Sequence, residues 1–219
     1  MVEIKVLTDI LGRNEAQAAE NRKRCDAAGV ACVNIMGSPG AGKTALLEGV
    51  LRAGNAPRIG VLEGDVSTTA DAERLAALGA PVVQINTDRF GGACHLSAAM
   101  VGAALPSLPL ADLDLVVVEN IGNLICPCEF DLGEHRRVVV ASVAEGAEKP
   151  LKYPLMFRKA DLVVVNKVDL GASAADAAEM CDNVLRVNPA ATVLPASART
   201  GEGLDSWTEW LRTLGSGRK

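Results

Sequence analysis

Gly37-Ser38-Pro39-Gly40-Ala41-Gly42-Lys43-Thr44 sets two spaced glycines ahead of a Lys-Thr pair, the pattern of a phosphate-binding loop. The apolar run Val30-Ala31-Cys32-Val33-Asn34-Ile35-Met36 leads into it as a buried strand, and Ala45-Leu46-Leu47-Glu48-Gly49-Val50-Leu51 follows with helical spacing. Strand, glycine loop and helix are the context the motif requires. Glycines let backbone N–H groups close around phosphate oxygens, and the helix start adds a favourable field for anions. Gly37, Gly40, Ala41 and Gly42 therefore read as the cradle of a nucleoside triphosphate. Lys43 is expected to reach the β- and γ-phosphates and to serve catalysis, and the Thr44 hydroxyl to coordinate Mg²⁺.

The chain has 219 residues, 49% of them hydrophobic but only 3% aromatic, so its core must be built from Val, Leu, Ile and Ala. That composition suits an α/β fold with a mostly parallel central sheet flanked by helices, as in P-loop NTPases. A net charge of −5 argues against a nucleic-acid protein with a basic surface. No run approaches a membrane span and the start Met1-Val2-Glu3-Ile4-Lys5 lacks a secretory core, so a cytoplasmic address is expected. In that setting the six cysteines read as thiols or metal ligands.

Asn14 to Cys25 reads as a charged helix ended near Gly29. Strands are predicted at Ile59–Asp65, Pro81–Asn86, Leu113–Asn120, Arg136–Val143, Asp161–Val165 and Ala191–Pro195, and a closing helix at Leu204–Leu211 with Trp207 and Trp210 as core anchors. Asp65, at a strand end, is expected to help hold Mg²⁺, with Thr68 among the nearby switch hydroxyls; the competing reading is a cap for the helix that begins at Thr69. Glu119 ends another strand, with Gly122 three positions on as in the D-x-x-G switch of GTPases, and can hold a Mg²⁺-bound water or orient the attacking water. Asn166-Lys167-Val168-Asp169 then selects the base. The Asp169 carboxylate can accept from guanine N1 and its exocyclic amine, which adenine cannot match, while Asn166 and Lys167 support the base and loop. Ser197-Ala198-Arg199 resembles the GTPase S-A-K loop, with the Ala198 N–H expected on guanine O6 and the Arg-for-Lys change expected to matter little. GTP and GDP are thus the expected nucleotides. The chain divides into an N-terminal segment, 1–29, whose helix packs on a GTPase domain, 30–219.

Cys94-His95 and Cys126-Pro127-Cys128 form a second constellation in loops on the same sheet edge, with the pair Gly91-Gly92 introducing the first of them at a helix head. Thiolate and imidazole suit Zn²⁺ and Ni²⁺ and do not suit Mg²⁺. Cys94, His95 and Cys126 are too few for a closed zinc site, but doubling in a homodimer would complete one; Cys128 is a further candidate donor. Cys25, Cys32 and Cys181 read as packed thiols, and His135 as an exposed polar residue.

From about Asn21 onward the sequence resembles the hydrogenase nickel-incorporation GTPase family, HypB. The resemblance is carried by Cys94-His95-Leu96, the run Val118 to Pro127, Phe130-Asp131-Leu132-Gly133-Glu134, the run Glu145 to Pro154, and Phe157-Arg158-Lys159-Ala160-Asp161. It implies a SIMIBI-class nucleotide fold, slow GTP hydrolysis, GTP-dependent homodimerisation, and a metal site at the dimer interface at Cys94, His95 and Cys126. It further implies nickel delivery to an immature [NiFe]-hydrogenase large subunit with a HypA-type accessory protein as partner, and contacts of Lys149 and Lys152 to nucleotide or the other subunit. The N-terminus has no Cys- or His-rich extension, so no separate nickel store is expected there. Other readings share the phosphate loop: a urease-type, UreG-like nickel chaperone, a small-molecule kinase with structural cysteines, and a nucleotide-gated scaffold without catalysis.

Overall fold

The computed structural model describes residues 3–88, 93–170 and 174–216. Seven strands, β1 (Ala31–Gly37), β2 (Ile59–Asp65), β3 (Val82–Asn86), β4 (Leu115–Glu119), β5 (Arg136–Ser142), β6 (Leu162–Asn166) and β7 (Thr192–Pro195), form one sheet in the order β3-β2-β4-β1-β5-β6-β7. Every neighbouring pair runs parallel. The sheet is thus wholly parallel. All residues of β1, β4 and β6 are buried, which explains why these segments are apolar but for Asn34 inside β1 and for Glu119 and Asn166 at the ends of β4 and β6.

Helices cover both faces, because side chains of successive strand residues point to opposite sides. Val33, Ile35, Val117 and Val138 pack with α2 (Lys43–Arg52), α3 (Ala70–Ala76) and α8 (Leu204–Ser216), where Trp207 is fully buried and stacks on Trp210 with ring centroids 5.8 Å apart. The other face carries α1 (Glu3–Ala27) and α4 (Ala98–Ala104) against Cys32, Leu62 and Val116, and, further along, α6 (Pro154–Arg158) and α7 (Ala174–Val187) against Val139 and Val163. The short α5 (Lys149–Lys152) precedes α6.

Three sequence expectations change. The first helix begins at Glu3, well before Asn14, since the intervening residues contain only Gly12 as a weak breaker and a single mid-helix glycine is tolerated. Cys94 and His95 stand in a loop outside the helix head, because Ser97 caps α4 by accepting from the Met100 N–H, so that helix starts at Ala98; the pair Gly91-Gly92 lies outside the described residues. His135 is largely buried. Its Nδ1 accepts the Cys32 N–H at 2.8 Å and its Nε2 faces Asp26 at 3.1 Å, so the ring ties β1 to the end of α1. Cys25 and Cys32 are buried thiols as expected, and Cys181, half-buried in α7, packs against the core.

Asn21 anchors α1. Its Nδ2 donates to the carbonyls of Ala98 and Leu132, and Gly102 and Gly133 leave room for this close approach; a Cβ at Gly133, whose φ is +92°, would lie 2.4 Å from the Ala18 carbonyl. Truncation in Asn21→Ala strands two buried acceptors and is expected to cost about 1–3 kcal/mol, read as a lower denaturant midpoint with unchanged slope.

Candidate nucleotide and metal site

The phosphate loop turns off β1 between β4 and β5, where there is no space for side chains. A Cβ at Gly37 would meet the Val140 carbonyl at 2.3 Å, and one at Gly42, whose φ is +100°, would meet Asn166 Nδ2 at 2.2 Å. Lys43 and Thr44 open α2 and are buried; Lys43 Nζ is held 3.5 Å from the Ser38 carbonyl, and the Thr44 hydroxyl donates to Glu119 Oε1 at 2.8 Å. Ser38 donates to Glu145 at 2.6 Å, which fastens the loop to the segment after β5.

One cavity of about 290 Å³ opens beside Lys43 and is walled by Pro39, Glu63, Asp65, Glu119 and Gly122. Glu63 and Glu119 are register partners on β2 and β4, and Oε2 of each has no hydrogen-bond partner among the described residues. Burial, then the charge of Glu119, pushes the Glu63 carboxyl up to about 8. Burial pushes Glu119 up to about 7 against the opposing pull of Lys43 and the Thr44 hydroxyl. Orphaned carboxylate oxygens beside a hydroxyl are what a hard cation uses, so Thr44, Glu119 and the nearby Asp65 fit Mg²⁺. Asp65 Oδ1 also accepts the Ser67 and Thr68 N–H groups, each at 2.8 Å, and so shapes the turn after β2. Thr68 does not line this cavity: it is exposed and its carbonyl takes the Gln84 amide.

A second cavity, about 230 Å³, lies on the other side of the loop between Gly42, Asn166, Asp169, Ala198 and Arg199. Asn166 bridges the elements around it, donating to the Ala41 carbonyl at 2.8 Å and accepting the Ala198 N–H at 3.1 Å. Lys167, at φ 62°, donates to the Gly40 carbonyl. The Ala198 N–H, expected on guanine O6, is therefore engaged by Asn166 here. Arg199 also departs from expectation. Asp169 accepts from Ser197 at 2.5 Å, and its other oxygen from Arg199 Nε at 2.7 Å; these contacts, Ser197 first, lower its pKa. The Arg-for-Lys change thus places a cation on the carboxylate expected to read guanine.

Cys94, His95 and Cys126 converge, their donor atoms all within 4.8 Å of one another. The His95 ring stacks on Phe130 at 4.0 Å, and burial lowers its pKa, which favours the neutral imidazole a metal needs. The adjacent Cys126 thiol, then burial, raises the Cys94 pKa, so two thiols share a space that a cation would relieve. Two sulfurs and one nitrogen fit a soft or borderline ion and leave coordination positions open. Cys128 does not join them. Its buried thiol donates to the Ile125 carbonyl at 2.9 Å, because the tight turn Cys126–Cys128 sends the two side chains different ways. Lys149 sits 3.5 Å from Glu145, and Lys152 pairs with Glu148 on the surface.

Glu63, Asn120, Asn123 and Phe130 carry parts of these sites that motif reading passed over. Glu63 had one visible signal, a charge inside an apolar strand two positions before Asp65 and so on the same face. The asparagines and Phe130 had none outside the family resemblance.

Known proteins share this sequence and this fold. A family model described as the CobW/HypB/UreG nucleotide-binding domain matches residues 31–195. The chain is 46% identical over 210 residues to hydrogenase maturation factor HypB of Azotobacter vinelandii, spanning 95% of this chain and 68% of that protein. It is 45% identical over 215 residues to HypB of Escherichia coli K12, spanning 97% and 72%. Among solved structures, HypB from Archaeoglobus fulgidus matches with a TM-score of 0.85 at 42% identity over 94% of this chain and all of that one. HypB from Helicobacter pylori in complex with nickel matches at 0.86 with 34% identity over 93% and 95%.

Two outcomes are expected in the nucleotide-free, metal-free protein. Glu63 and Glu119 ionise near their ordinary 4.5 when unfolded but hold their protons to about 8 and about 7 when folded. The folded state therefore binds more protons between these values, and this contribution makes stability fall as pH rises across that window. Thermal melts should show a smaller loss between about pH 6 and 8 for Glu63→Gln than for wild type. Arg199→Ala removes an exposed competitor for Asp169, and titration with fluorescent GDP should show binding tighter by up to about fivefold, the difference shrinking in high salt.

Proposed function

The chain belongs to the HypB hydrogenase maturation factors of the CobW/HypB/UreG nucleotide-binding family, and from that premise we propose that it is a slow GTPase that carries nickel. Its task on this reading is to assist nickel insertion into a [NiFe]-hydrogenase large subunit, working as a GTP-dependent homodimer with a HypA-type accessory protein. The observation that carries the proposal is one of placement: Glu119, in the nucleotide cavity, and Cys126, in the soft-donor group, are the two ends of a single loop. A change at the γ-phosphate is therefore felt at a metal ligand.

The residues divide the work. Gly37 to Gly42 offer backbone N–H groups to the phosphates, Lys43 places a fixed positive charge where negative charge develops on the transferred oxygens, and Asp169 selects guanine. Thr44 and Glu119, with Asp65 at the edge, would hold Mg²⁺, which supplies Lewis-acid polarisation of the phosphate. Glu119 and Glu63 close the cavity around the region where the attacking water must stand, and burial there makes both carboxyls hold their protons to higher pH than usual until a cation enters. Cys94, His95 and Cys126 take the nickel ion as cargo; zinc binds the same donor types, and a second protomer would bring the donor number to that of a closed site.

Against a urease-type chaperone stands the identity to hydrogenase maturation factors over nearly the whole chain. Against a small-molecule kinase stands Asp169 in the second cavity, a carboxylate that can accept from guanine N1 and its exocyclic amine, which adenine cannot match.

Nickel stoichiometry and affinity of the purified protein, measured with GDP and with a non-hydrolysable GTP analogue, test the reading. Wild type is expected to bind nickel with nucleotide-dependent affinity and to hydrolyse GTP in preference to ATP, and Cys126→Ala to lose at least about tenfold in nickel affinity. Undiminished binding by Cys126→Ala, or a preference for ATP, would sink it.

A further inference from the structure

The structure assigns Asn123 as the positioning residue that transmits the state of the phosphate loop to the metal donors, an inference that rests on the proposed coupling of nickel to nucleotide. Its backbone N–H donates to the Gly37 carbonyl at 3.0 Å, and the two residues pair as an isolated antiparallel bridge. Its side chain serves both arms of the donor group. Nδ2 donates to the Cys94 carbonyl at 3.3 Å, and Oδ1 accepts from the N–H of Ile125, the residue before Cys126, at 2.8 Å. Among the described residues Asn123 thus touches the phosphate loop and both cysteine-bearing loops at once.

The surroundings leave this connection little slack. Gly122 is pressed so closely on Pro39 that a Cβ there would lie 2.8 Å from the Pro39 backbone, so the loop after β4 must follow any movement of the phosphate loop. On the other side Asn120, buried, accepts the Leu96 N–H at 3.2 Å and donates to Asn34 of β1 at 3.2 Å, which fixes the residue after His95 to the sheet. A displacement at Gly37 to Pro39 is therefore delivered between His95, which is held, and the two thiols, which ride on Asn123. Metal sites tolerate donor displacements of only about 0.2 Å, so a small shift changes affinity.

Two variants separate transmission from local support. Asn123→Ala keeps the backbone bridge and removes both side-chain bonds; Asn123→Asp keeps the acceptor for Ile125 and loses the donor to Cys94. For each, nickel affinity is measured by competition with a chromophoric chelator in the GDP and GTP-analogue states, and GDP affinity with a fluorescent nucleotide. Wild type is expected to show nickel affinities differing by at least about fivefold between the two states. Both variants should bring that ratio to within about twofold of one while GDP affinity stays within about twofold of wild type, the span of context-dependent scatter for a neutral hydrogen bond. A wild-type ratio that persists in both variants overturns the role of Asn123 and leaves the coupling standing. A wild-type ratio of one overturns the coupling and this inference with it, and a large loss of GDP affinity in Asn123→Asp overturns transmission by making the residue part of the nucleotide site.

Discussion

The carbonyl of Val140 lies 2.3 Å from where a side chain at Gly37 would begin, and most of the site depends on that crowding. Because β1 sits between β4 and β5, the chain leaving it has no lateral room and must turn with backbone alone. Bare backbone is what phosphate recognition uses, since N–H groups can then approach an anion without side-chain obstruction. The same crowding brings Asn123 against Gly37 and Gly122 against Pro39, so the loop that follows β4 is packed onto the phosphate loop and cannot move independently.

Electrostatics complete what packing begins. A cavity walled by Glu63, Asp65 and Glu119, opposed by Lys43 and from farther off by Arg74, is an unfavourable place for carboxylates, and burial raises the pKa of Glu63 and Glu119. An incoming cation would stabilise such an arrangement, and the neighbouring glycines present bare backbone to the nucleotide that would bring one. A second donor group lies at Cys94, His95 and Cys126, where two thiols and an imidazole converge within 4.8 Å and the Cys126 thiol raises the Cys94 pKa. Two donor groups of opposite hardness thus lie at the two ends of one loop, one of carboxylates and a hydroxyl, the other of thiols and an imidazole, and their chemistry suits different metals.

Much of this was legible in residues alone. The glycine loop required φ values that only Gly adopts easily, the strands were apolar runs of the right length, and Cys-His with Cys nearby is a donor set with few other uses. Reading failed where the deciding contact is distant in sequence. His135 has the polarity of a surface residue, yet the N–H of Cys32, one residue ahead of the pairing of β1 with β5, needed an acceptor and the ring supplies it. The sequence predicts little effect of the Arg-for-Lys change at Arg199, since the expected guanine contact is the backbone of Ala198, whereas the Arg199 side chain reaches Asp169 across the pocket. Cys128 matched its neighbour in type, but the turn at Pro127 points its thiol to Ile125.

By itself the sequence determined the parallel α/β architecture, the phosphate loop, guanine as the expected base and the donor types of the metal group, because each of these follows from local residue chemistry and spacing. Only the tertiary structure decided which donors meet, that Glu63 stands beside Glu119, and that Asn123 lies between Gly37 and Cys94. Those facts come from strand order: β4 lies beside both β1 and β2, and this adjacency brings residues far apart in the chain to one edge.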